Sequence, residues 1–140
     1  MEFDLDRLAA TLLRQMPDAV VYSDAEGRIR FWNEGAERVF GFQKAEAEGQ
    51  SLDIIIPVSL RERHWVGYKH TMRTGETRFG AGDMLAVPAL RKDGTRVSVE
   101  FTIVPFRDEV GRMVGIAAVM RDVTARFEEM KALRRQATGR

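Results

Sequence analysis

The sequence predicts an α+β domain: a five-stranded antiparallel sheet with short helices on one face, plus an amphipathic helix at the N-terminal and C-terminal ends. Three observations predict it. Two short strand-like runs, AVVYSD and RIRFWN, stand near the start on either side of the turn Ala25-Glu26-Gly27. A set of short helix signals follows. Three longer runs come last, RFGAGDMLAVPAL, TRVSVEFTIVPFRD and RMVGIAAVMRDVT, separated by turns rich in Asp and Gly. Sheet and helices together would leave a ligand-sized hollow between them.

Leu5, Leu8, Ala9, Leu12 and Met16 recur at helical spacing behind Asp4 and Asp6, so residues 4–15 read as an amphipathic helix that Pro17 ends. Residues 19–24 and 28–33 are the first two strands. Asn33 is placed to cap a short helix, EGAERVFG, which Gly41 closes. QKAEAE and the segment from Ser51 to Ile54 read as further short helical turns. Pro57 suits the first turn of the next helix, where its missing N–H is not needed; that helix should run to about Thr74 and stop at Gly75. Lys92-Asp93-Gly94 and Asp108 to Gly111 are the turns between the long strands. TARFEEMKALRRQ closes the chain as a helix with one apolar seam.

Composition bounds the function. A chain of 140 residues with 44% apolar and 31% charged residues is one ordinary globular domain. A net charge of +1, with arginines spread among acids, gives no footprint for nucleic acid. The absence of cysteine excludes disulfides, thiolate metal sites and flavin–cysteine adducts. The first residues carry Glu2, Asp4 and Asp6 with no long apolar core, and the longest apolar run, Val114 to Met120, is too short to span a bilayer, so a cytoplasmic protein without membrane contact is expected. The division is residues 1–16 as a cap helix, 17–124 as the core, and 125–140 as a C-terminal signalling helix and tail.

MPDAVVYSDAEGRIRFWNEGAERVFGF, GQSLDIIIP and LRKDGTRVSVEFTIVPFRDEVGRMVGIAAVMRDVT together resemble a PAS domain over about residues 14–124. The resemblance implies a sensory and protein-interaction module. A narrower similarity is to the haem-binding PAS domains of oxygen-sensing kinases and phosphodiesterases, the FixL-type sensors, in which the pattern L-I-P-x-x-x-R-x-x-H ends in the histidine that ligates iron. Here Ile55-Ile56-Pro57 is followed by Arg61 and His64. The match implies b-type haem with His64 as axial ligand. It also implies that Gly80-Ala81-Gly82-Asp83 belongs to the distal strand and that Ile103 packs on the ligand face. Two departures stand out: Asp83 where the oxygen sensors have an arginine that bonds bound gas, and Ala81 where the phosphodiesterase type has a methionine. Distal chemistry unlike theirs is therefore expected.

The residues themselves leave His64 open. At about 100° per residue, Leu60, His64, Gly67 and Thr71 share one helix face, while Arg61, Trp65, Tyr68 and Met72 share another. Gly67 would let a flat ligand or a neighbouring element approach the backbone closely. His70 lies roughly 240° round from His64, so the two cannot chelate one metal. His64 is then either a neutral imidazole ligand of haem iron or a polar residue at the pocket edge. Trp32 is either a stacking surface for a ring system or an aromatic that closes the pocket wall or packs beneath the helices. Seven methionines, Met72, Met84, Met113 and Met120 among them, make an adaptable cavity or simply fill the core.

The candidate pocket set is accordingly His64, Leu60, Gly67, Tyr68, Ala81, Asp83, Ile103 and Trp32. The cofactor expected is haem b, failing which a small organic ligand or none; the missing cysteine argues against photoreactive flavin. No Ser/His/Asp set, carboxylate pair or phosphate-cradling loop is visible, and His64 with Asp83 is the only acid–base pair that can be assembled, so an enzyme is not expected. The stripe of Leu5, Leu8 and Leu12 needs a cover, which a second copy would supply as a homodimer. The final helix would pass a pocket change to a signalling partner. The competing expectation is a cofactor-free interaction module whose centre is filled by Trp32, Tyr68, Phe101 and the methionines.

Overall fold

A computed structural model of the chain describes residues 3–76 and 86–138. Helix α1 (Leu5–Gln15) starts where the Asp4 carboxylate accepts the Arg7 N–H at 3.1 Å and stops at Met16, in extended backbone ahead of Pro17. Strands β1 (Ala19–Asp24) and β2 (Ile29–Trp32) form a hairpin. Helices α2 (Glu34–Phe40) and α3 (Lys44–Ala47) follow, then two 3-10 turns, Leu52–Ile55 and Val58–Leu60. Helix α4 (Arg61–Thr74) ends at Gly75, whose φ of 75° is open to glycine at little cost. Strands β3 (Val87–Leu90), β4 (Arg96–Arg107) and β5 (Met113–Asp122) and helix α5 (Thr124–Ala137) complete the chain.

Two boundaries differ from those the sequence predicts. A separate 3-10 turn intervenes after Pro57, so α4 begins four residues later, at Arg61. The third strand is described only as Val87–Leu90, and the earlier part of its predicted run falls on residues 77–85, outside the described residues.

The sheet is antiparallel throughout, in the order β2-β1-β5-β4-β3, which sets the N-terminal hairpin beside the last strand. Its register places Trp32, Val21, Ala118 and Ile103 side by side in one row across four strands. The next row, Phe31, Tyr22, Ala117 and Val104, points to the opposite face because side chains alternate along a strand. Val21, Ile29, Trp32, Ala36, Phe40, Val97 and Val99 are each at most 2% exposed, so the core lies between the first row's face and the helices. Burying large side chains there contributes roughly 1.5–3 kcal/mol apiece. Among the described residues no helix is long and apolar enough to cross a membrane.

Candidate functional site

Helix α4 carries the site. Its buried residues are Tyr68 and Thr71, with His64, Trp65, Arg61 and Met72 half-buried around them. The inward stripe thus runs between the two faces that the spacing alone separates, with Tyr68 at its centre. One residue is about 100° of rotation, which carries Gly67 off this stripe. Gly67 is exposed, and a Cβ built on it meets nothing within 4 Å among the described residues. Among the described residues, then, no neighbouring element makes the close approach expected at Gly67.

Three side chains tie α4 down. The Tyr68 hydroxyl donates to the Asp24 carbonyl at 2.6 Å and lies 2.8 Å from Ser23 Oγ. Its one proton goes to the carbonyl, so Ser23 donates to Tyr68. Burial, opposed by the Ser23 bond and reinforced by nearby Asp24, pushes the Tyr68 pKa up to about 12. The Trp65 indole N–H donates to Asp53 Oδ1 at 2.7 Å, and the ring lies over Gly27 in the β1–β2 turn. Arg61 donates from Nε to the Ile56 carbonyl at 3.0 Å and from Nη2 to the Asp53 carbonyl at 3.1 Å, closing the end of the first 3-10 turn. Sequence reasoning missed Asp53, Ser23 and Trp65 as supports, because their contacts join positions 12 to 45 residues apart with no local signature.

His64 forms a triangle with those aromatic rings, its centroid 4.7 Å from that of Trp65 and 5.7 Å from that of Tyr68. Its Nδ1 is buried and has no hydrogen-bond partner among the described residues. Burial holds the imidazole below its usual pKa of 6.5, against a smaller opposite pull from the Asp53 carboxylate. A neutral imidazole with an unpartnered buried nitrogen is chemically fit to ligate a metal-bearing cofactor, since such a nitrogen otherwise loses a hydrogen bond on folding. His70 is exposed on the far side of the helix, as its rotation requires.

Of the other expected pocket residues, Leu60 is half-buried at the head of α4, and Ile103 is half-buried on β4 and packs on the core. Ala81 and Asp83 lie outside the described residues, as does the Asp83 half of the acid–base pair. Trp32 takes the place of an aromatic packed beneath the helices, one of the alternatives its position offered. It is 1% exposed, packs its ring against Phe40 and Phe42, and donates its indole N–H to the Phe42 carbonyl at 2.9 Å. Tyr68 and Met120 are buried in the same cluster, and Phe101, Met72 and Met113 pack against it. Two hollows among the described residues are open ones: about 430 Å³ between α2 and the β3–β4 turn, and about 320 Å³ beneath α5. Neither is lined by His64. Among the described residues no group of three or more His, Cys, Asp or Glu side chains is arranged to hold a metal ion.

A five-stranded antiparallel sheet of this order, with short helices over one face and a helix at each end, defines the class as an α+β domain. The chain belongs to the PAS family: the family model described as PAS fold matches residues 13–128. It is 33% identical over 93 residues to the sensor protein FixL of Bradyrhizobium diazoefficiens, covering 66% of this chain and 18% of that protein. It is 26% identical over 123 residues to the oxygen sensor protein DosP of Escherichia coli, covering 88% of this chain and 15% of that one. The chain therefore spans less than a fifth of the length of either relative. Among solved structures, the PAS domain of a Colwellia psychrerythraea protein superposes with a TM-score of 0.76 at 26% identity, covering 87% of this chain and 99% of that one. The chain is a PAS sensory domain of the kind carried by signalling proteins.

Proposed function

We propose that this domain senses through a cofactor held against α4, with His64 as axial ligand of a b-type haem, and relays the change through its terminal helices to a second copy or a signalling partner. The observation that carries the reading is the buried Nδ1 of a neutral His64, unpartnered among the described residues. The similarity to FixL and DosP, the latter named an oxygen sensor, supports it. Haem iron would supply a gas-binding position; the chain's own contribution is to fix the helix that presents the imidazole, through Tyr68, Trp65 and Arg61. No catalysis is assigned to the domain, and a soluble, cytoplasmic setting with no nucleic-acid partner is part of the same proposal.

A second reading, a cofactor-free interaction module, is favoured by one observation: Trp32, Tyr68 and Met120 are buried within the core that a cofactor would share. The ultraviolet–visible spectrum of the purified protein, before and after adding haemin, separates the two. The haem reading expects a sharp Soret band that His64→Ala abolishes. A spectrum that stays featureless, or haemin uptake indifferent to His64, leaves the interaction module.

A further inference from the structure

The orientation of the His64 ring is set by packing. An imidazole that serves as a metal ligand usually has its other nitrogen tied to a carboxylate or a carbonyl. Here the buried Nδ1 has no such partner among the described residues, and two rings pack against the imidazole instead, Trp65 and Tyr68. Tyr68 is held from β1 by Asp24 and Ser23. The contact with Trp65 needs a cause of its own. Consecutive residues leave a helix about 100° apart and do not ordinarily face each other, yet these two centroids are 4.7 Å apart with the ring planes at 76°.

Asp53 supplies the cause. Its carboxylate accepts the indole N–H at 2.7 Å, the short end of the range, as a charged acceptor allows. The six-membered ring of the indole lies on Gly27, where a Cβ would stand 2.2 Å from two of its atoms. The indole is thus fixed at both ends. Asp53 is itself rigid at the backbone. Its N–H donates to Ser51 Oγ at 3.1 Å, and its carbonyl accepts the Ile56 N–H and Arg61 Nη2, each at 3.1 Å. We infer that Asp53 is a positioning residue for His64, acting at one remove: its carboxylate orients the Trp65 indole, and the indole sets the plane of the imidazole. The purpose rests on the haem reading, since an axial imidazole must be presented in one orientation; the clamp exists with or without a cofactor. The Asp53 side chain is 40% exposed, so its charge contributes little to stability, and its loss should show at the imidazole more than in the melting temperature.

The test begins without haem. The chain has two histidines, so carbon-13 labelling of the histidine rings gives two sets of NMR signals, and His70→Gln identifies those of His64. In the native chain the flanking rings should displace the His64 signals from those of exposed His70. Asp53→Ala should move them toward the His70 values. Asp53→Asn, whose amide oxygen still accepts the indole N–H, should keep most of the displacement. His64 signals that Asp53→Ala leaves unchanged overturn the inference. The second arm is the rate at which haemin-loaded protein gives up haemin to excess apomyoglobin. Asp53→Ala should release it about 10-fold faster or more, and Asp53→Asn close to the native rate. Trp65→Phe keeps a ring without the donor and should match Asp53→Ala, with no further gain when the two are combined. Additive effects, or release indifferent to Asp53 in a chain that binds haemin through His64, overturn the inference as well. A native chain that takes up no haemin through His64 overturns the haem reading and the purpose given to Asp53, while the ring signals still decide whether the clamp exists. Circular dichroism checks folding; if Asp53→Ala does not fold, Trp65→Phe carries both readouts.

Discussion

Tyr68 shows how one side chain positions the site. Its hydroxyl joins α4 to the end of β1 through Asp24 and Ser23, and its ring is one wall beside His64. Tyr68→Phe keeps the ring but takes the acceptor from the buried Ser23 hydroxyl and leaves the Asp24 carbonyl with the Gly27 N–H alone, so it should lower unfolding stability by about 1–2 kcal/mol, read from the midpoint of a urea titration. The pH dependence follows from the raised pKa. An unfolded tyrosine ionises near 10.0, whereas the folded protein keeps this proton to about 12. The contribution is therefore complete below pH 10 and is lost as pH climbs toward 12. Tyr68→Phe should flatten that alkaline loss, and an unchanged slope would show that the hydroxyl is not held as described.

At the scale of an element, α4 depends on the first 3-10 turn, Leu52–Ile55, and the residue that ends it. Arg61 reaches two carbonyls of that turn with separate nitrogens, a fork that a lysine ammonium cannot copy. Arg61→Ala should destabilise the domain by about 1–2 kcal/mol and speed amide exchange over residues 52–64, with Arg61→Lys recovering little. Exchange confined to the C-terminal half of α4 would contradict the role. This element also shows where the sequence was legible. The order of elements, the Asn33 cap, the Gly75 stop and the strand turns follow from local chemistry and appear where the residues predict them. The site was legible only as a list. The helical period gave rotation angles but no origin, so the buried stripe could not be centred on Tyr68 or Gly67 set aside until the sheet beneath was known. Trp32 was equally ambiguous, because an aromatic at a strand end looks the same whether it faces a pocket or a helix.

Across the whole molecule, the two termini are tied to the sheet by charge. The Glu100 carboxylate, 8% exposed, pairs with the Arg126 guanidinium of α5. Arg121, opposite Glu100 on β5, bonds Asp18 at 3.1 Å just after α1. Removing Arg126 would leave a nearly buried carboxylate without its partner, which costs more than removing both. Arg126→Ala should therefore destabilise by about 1–2 kcal/mol, and adding Glu100→Gln should recover part of it. A double-mutant cycle in urea that proves additive would mean that the pair contributes nothing.

Asn33 reaches further than a helix cap. Its carbonyl oxygen accepts the N–H groups of Val20 and Ala36, and its amide nitrogen donates to the carbonyls of Leu13 and Asp18. Donors and acceptors are both consumed, inside a side chain only 2% exposed. Exchanging Asn for Asp, among the mildest changes at most helix starts, would here turn a negative oxygen toward two carbonyl oxygens. The first helix, the first strand and the second helix are thus locked by an amide for which even the isosteric Asp is no substitute, a constraint that most helix caps do not carry.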